Sequence, residues 1–151
     1  MTNVRLFAAA VATLAGLCSA PSFGADKVVL VTAEEAARPS QPAGELNRRG
    51  ITRGPQITVV DPAPGDVQSP VHLLIKFESR GGSKIDPAGT KVTYMKNPVI
   101  DLTDRVKPFM QDSGIDIGQA ELPAGNHVIR VDVKDSEGRI ATSLLTLNVT
   151  K

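Results

Sequence analysis

The chain has 151 residues, the length of one ordinary domain. It carries 17 Lys and Arg against 16 Asp and Glu, so no charge excess draws it to nucleic acid or to an acidic membrane. Aromatic residues are 3% of the chain, with no Trp, one Tyr and four Phe, which argues against binding by stacking onto sugars or bases.

Arg5 precedes an apolar run from Leu6 to Leu17, and the small residues Ser19, Ala20, Ser22, Gly24 and Ala25 lead into the charged Asp26 and Lys27. This layout predicts a secretory signal peptide over residues 1–25, cut near Gly24 or Ala25. The apolar run is about 12 residues against the roughly 20 of a spanning helix, so no membrane span is expected in the mature chain. Cys18 raises the alternative of a lipidated N-terminus, but Leu17 stands where that signal has a small residue. Removal of the leader takes away the single cysteine and Arg5, leaving 16 charges of each sign. The mature protein, expected in the periplasm or outside the cell, then has no disulfide, no Cys-type zinc site and no iron–sulfur cluster, and depends on a packed core.

Residues 26–55 read as a flexible tail. Within it, Val28 to Val31 have the character of a short strand, and Thr32 followed by Glu35 fits a capping box opening a short helix through Ala36 and Ala37, which Arg38-Pro39 ends. Pro39, Pro42, Gly44, Gly50 and Gly54 then interleave with Arg48, Arg49 and Arg53, too few apolar residues to hold a core. The arginines are candidate contacts for a phosphate or carboxylate partner. Glu34, Glu35 and Glu45 offset them, which is the pattern of a solvated spacer.

From residue 56 to 151 the pattern alternates with period two, broken by turn residues every 8 to 12 positions, and predicts seven short strands. They fall at 57–60, 71–78, 91–95, 99–102, 115–122, 127–134 and 140–149. Val71, Leu73, Ile75 and Phe77 form one row, as do His127, Ile129, Val131 and Val133, and Ala141, Ser143, Leu145, Leu147 and Val149. Asp61-Pro62 and Asp86-Pro87 are expected as turn devices whose carboxylates close local backbone bonds. Thr103 or Asp104 is expected to cap a helical turn before Pro108. Apolar rows on one side of each strand need a covering layer, so the expected fold is all-β, two antiparallel sheets packed as a sandwich.

The segments "VVDPAPGD", "IDPAGTKVTY" and "LPAGNHVIRVDVKDSEGR", with the strand rhythm, resemble the bacterial immunoglobulin-like domains of exported proteins over about two thirds of the chain. That resemblance implies an immunoglobulin-like sandwich and export. It leaves activity open, because the same fold serves as spacer, adhesion module and ligand binder. The chain is also similar, more distantly, to the periplasmic copper-resistance protein C sandwich. That family holds Cu(II) with an N-terminal histidine and an Asp-Gly-His in the last hairpin. Here the corresponding turn is Glu137-Gly138-Arg139 and the mature chain starts at Ala25 or Asp26, so the imidazoles that Cu(II) favours are missing.

His72 and His127 are the only imidazoles, each at or near a strand start. One of them paired with Asp61 or Asp132 has the makings of a general base, but no nucleophile motif such as G-x-S-x-G accompanies it, and both are expected as surface or edge residues. Asp101, Asp104, Asp112 and Asp116 gather around the middle loops, where sandwiches can hold Ca²⁺, although the D-x-[DN]-x-[DN]-G loop is absent. Phe77 and Tyr94 lie on inward rows and are expected in the core. Phe109 with Met110 is either an exposed contact patch or a plug for one open end of the sandwich.

Two functions of different class follow. The first is a non-catalytic, cofactor-free accessory module, expected to be monomeric, that offers loops or an edge strand to an envelope protein. The alternative is a periplasmic carrier of a small ligand or of calcium or copper. A hydrolase ranks behind both. Nucleic-acid binding is disfavoured by 11 basic against 12 acidic residues in 56–151.

Overall fold

The computed structural model describes residues 27–41 and 54–150. Their strands are β1 (Val28–Val29), β2 (Gln56–Asp61), β3 (Asp66–Gln68), β4 (Val71–Glu78), β5 (Ile85–Tyr94), β6 (Ile100–Asp101), β7 (Met110–Gln111), β8 (Gly114–Glu121), β9 (Gly125–Asp135) and β10 (Ile140–Thr150). Two four-residue helices complete the set, α1 (Ala33–Ala36) and α2 (Thr103–Val106), the latter running into a 3₁₀ turn at Lys107–Phe109. One sheet has the order β1-β8-β4-β2 with β7 also on β8, and the other has the order β3-β10-β9-β5-β6.

The chain is therefore mostly β, in a sandwich-like arrangement of two five-stranded sheets. Both sheets are mixed, because β1 runs parallel to β8 and β3 parallel to β10. The period-two rows explain the packing. Val71, Leu73, Ile75 and Phe77 of β4 join Ile115 and Ile117 of β8 against Ile129, Val131 and Val133 of β9 and Leu145, Leu147 and Val149 of β10 in a single buried cluster. Each Leu, Ile or Val sealed there contributes on the order of 1.5 to 3 kcal/mol. The β9–β10 hairpin holds its register without a break from Ile140↔Lys134 to Val149↔Gly125.

Several local elements differ from what the sequence predicts. Asp86-Pro87-Ala88-Gly89 does not precede its strand as a turn; it is a bulge within β5, between the register pairs Asp86↔Lys134 and Lys91↔Asp132. Pro87 has no N–H to give the ladder, and the Asp86 carboxylate accepts the Ala88 N–H locally. The strand expected at 99–102 shrinks to β6, since Leu102 already turns into α2. Neither Thr103 nor Asp104 caps that helix: Asp101 accepts the Thr103 N–H at 2.8 Å, and the Thr103 hydroxyl faces the Val92 backbone instead. β3 and β7 are additional short strands. The turn from β7 into β8 requires Gly114, with φ +149°, because a Cβ there would lie 2.0 Å from the Ile75 carbonyl oxygen.

The largest difference concerns the stretch 26–55. Its first part is not a free tail: Leu30 and Val31 are buried in the shared core, and α1 carries the expected capping box between Thr32 and Glu35. Residues 27–41 form a strap that starts on the β8 edge and ends beside Met95 and Lys96, past the end of β5. The physical reason is that β8 would otherwise expose apolar surface and unpaired backbone along its free side. Arg48, Arg49 and Arg53 lie outside the described residues. Leu30→Ala should lower stability by roughly 2 to 5 kcal/mol in urea unfolding, whereas a side chain on a loose tail would cost almost nothing.

Candidate functional site

The strap is fastened by charge as well as by apolar contact. Arg105 of α2 donates to both oxygens of Glu35, each at 2.7 Å, and to the Leu30 carbonyl at 2.9 Å. The planar guanidinium suits this fork, since it satisfies a carboxylate and a backbone oxygen at once. Hydrogen bonding from Arg105 pulls the Glu35 carboxyl down to about 2, against the opposing effect of burial. At its other end the strap pairs Ser40 with Lys96, and the Ser40 hydroxyl accepts from Lys96 Nζ at 3.1 Å. Lys96 is buried, its ammonium 5.3 Å from the centre of the Tyr94 ring.

Beneath this end lies a second polar group. His127, expected near the surface, is 1% exposed. Its position was visible in the alternation, because it shares the inward row of Ile129, Val131 and Val133. Pro123 offers only a carbonyl oxygen, 2.7 Å from Nε2, so that nitrogen carries the hydrogen and donates. Nδ1 is then the acceptor for the Tyr94 hydroxyl at 2.8 Å. Burial, aided by the nearby Lys96 charge and opposed by the Pro123 bond, pushes the His127 imidazole below its ordinary value. Burial, with the negative charge of Glu35, pushes the Tyr94 phenol up to about 12. Both imidazole nitrogens are occupied, so this group holds the fold and has no free lone pair for a substrate proton.

His72 is different. It lies on the outward row of β4, 43% exposed at its side chain, with Nδ1 2.8 Å from Asp61 Oδ2 on β2 and Nε2 3.0 Å from Asp116 Oδ1 on β8. The register slips by one residue on both sides, between Val59 and Asp61 in the β2–β4 ladder and between Val71 and Leu73 in the β4–β8 ladder. Of the two carboxylate partners weighed from sequence, His72 takes Asp61, which therefore does not close a local turn. Asp132 instead accepts from Arg130 and Thr142. Because the two ring nitrogens diverge, His72 bridges its carboxylates and does not gather them around one point.

The four aspartates of the middle loops do not come together. Asp101 is engaged by Thr103, Asp116 by His72, Asp104 lies in α2 and Asp112 in the turn between β7 and β8. Among the described residues, no group of three or more His, Cys, Asp or Glu side chains is placed to hold a metal ion. Phe109 and Met110 are half-buried and packed against the core. In the last hairpin, Arg139 donates to Asp135 at 2.7 Å and also pairs with Glu137 at 3.0 Å. Burial pushes the Asp135 carboxyl up, and the bonds from Arg139 and from the Glu137 and Arg139 N–H groups outweigh it, so its net shift is downward. An open depression of about 370 Å³ lies beside the strap, lined by Val31, Thr32, Ser69, Glu121 and Pro123 among others.

The remaining feature with binding capacity is the free flank of β2. This strand pairs only with β4 among the described residues, whereas the other end strands have two or three residues each. Val60 on β2 is a large apolar side chain left 44% exposed. No helix among the described residues is long and apolar enough to cross a membrane. No family model, curated protein or solved structure matches the chain.

Two outcomes follow from the buried and bridged charges. The depressed Glu35 carboxyl contributes stability that is complete above its ordinary 4.5 and disappears as pH falls through about 2. Glu35→Gln should therefore melt below the wild type at neutral pH and converge with it near pH 2, in thermal scans across that range. Tyr94→Phe leaves His127 Nδ1 buried without a donor and should cost roughly 1 to 3 kcal/mol in urea unfolding.

Proposed function

We propose that this chain is a non-catalytic, exported accessory module of immunoglobulin-like fold that binds a protein partner in the bacterial periplasm or cell envelope. The observation that carries the proposal is the β2 edge: six residues, paired on one side only among the described residues, with an exposed Val60. An unpaired edge presents backbone N–H and C=O groups to a strand from another protein, and alternate side chains supply selectivity. The stretch of β5 before its pairing with β6 is a poorer acceptor, since Pro87 and its bulge interrupt the ladder.

The immunoglobulin-like assignment is supported by strand order. β2-β4-β8 in one sheet and β10-β9-β5 in the other follow the A-B-E and G-F-C sequence of that fold, and β1 lies where a D strand would pair. Export is supported by the leader-like residues 1–25. The commitment of both imidazoles to internal partners supports a binding role over a catalytic one.

A photo-crosslinking residue placed at Val60 of the mature protein should capture one protein of defined mass from an envelope extract. The same residue at Val99, an apolar site 51% exposed beside the other sheet, should not. Equal labelling at both positions, or a monomer with no adduct, overturns the proposal.

A further inference from the structure

The bridge across the outer face of the β2-β4-β8 sheet carries more than local stability. Each nitrogen of His72 faces a carboxylate oxygen within 3.0 Å, one on each neighbouring strand. A neutral imidazole has a single N–H, so it can donate to only one of the two, and its other lone pair then opposes the second carboxylate. Only the imidazolium satisfies both contacts. The charges facing the ring are Asp61 from β2 and Asp116 from β8; the next charge on its own outward row is Lys76. Farther along β8 and its partners, Glu121 is paired with Lys27 at 3.7 Å, and Asp112 lies in the turn before β8.

We propose that His72 is a proton-operated staple that sets how firmly β2, the edge offered to a partner, is held in its sheet. The inference rests on β2 being the binding edge. In the protonated state, β2 and β8 are both tied to β4. Loss of the proton leaves one tie. Neutral histidine intrinsically favours hydrogen on Nε2, so the bond to Asp116 persists and the one to Asp61 is lost, loosening β2 at its bulged end. Hydrogen bonding to Asp116 does most to raise the His72 pKa; burial opposes it, Asp61 adds to it, and the net shift is upward from 6.5. A raised folded-state value means the tie is complete below 6.5 and is lost as pH climbs through that higher value.

The test is amide hydrogen exchange of the full mature chain without any partner, corrected for intrinsic rates, at about pH 5.5 and about pH 9. Protection of those β2 amides that face β4 should fall roughly twofold to fivefold at the higher pH, as expected for one exposed ion pair. His72→Gln should remove that dependence, and Asp61→Asn, which keeps the imidazole, should lower the His72 titration midpoint followed by ring-proton NMR. The two histidines are told apart in such spectra by His72→Gln, which removes one of the two sets of ring signals. Unchanged protection in the wild type, or the same pH dependence in His72→Gln, overturns the staple. Crosslinking at Val60 reports separately on the edge: a pH-dependent β2 with no adduct upholds the staple and removes the binding role.

Discussion

Two sheets with apolar inner rows must cover each other, and a chain with a single cysteine has no intrachain disulfide to hold them there. Apolar burial therefore has to close the structure on every side, the flank of β8 included. This is why Leu30 and Val31 enter the core from a segment otherwise rich in charge, and why Arg105 meets Glu35 with a two-pronged bond over them. The strap does for β8 what a longer edge strand would do, using two parallel pairs and a short capped helix.

Polar groups inside such a core are tolerable only when every donor and acceptor is used. The inward row of β9 illustrates this at both of its ends. His127 begins the row and is satisfied by Tyr94 and Pro123; Asp135 ends it and is satisfied by Arg139 and two backbone N–H groups. No buried side-chain nitrogen or oxygen among the described residues lacks a partner. Outside the core the rule relaxes, and His72 can sit between two carboxylates because water shares the load. The contrast explains why one histidine loses affinity for its proton while the other gains it.

Much of this was legible along the chain. The rows of β4, β9 and β10 alternate as their residues dictate, and Thr32 with Glu35 forms its capping box from local spacing alone. Tyr94 was placeable in the core by its parity with Val92. The same parity argument places His127 and Asp135 inside, a signal that their polarity obscures. By contrast, β3 offers only Val67 as an apolar residue, too little for any periodicity, and exists because β10 comes alongside it from 82 residues away. Asp116 as a partner for His72 was equally hidden, since 44 residues separate them and a register slip lies between the two strands.

The amino-acid sequence by itself determined the strand rhythm, the inward rows and the capped turn, because these depend on the side-chain period and on hydrogen bonds spanning three or four residues. Tertiary structure alone decided which strands lie side by side, that residues 27–41 close the β8 flank, that β2 is an end strand among the described residues, and which carboxylates face His72. Those outcomes depend on surfaces contributed by distant parts of the chain. A residue's neighbours across a sheet are set by register and bulges, and no short-range pattern encodes them.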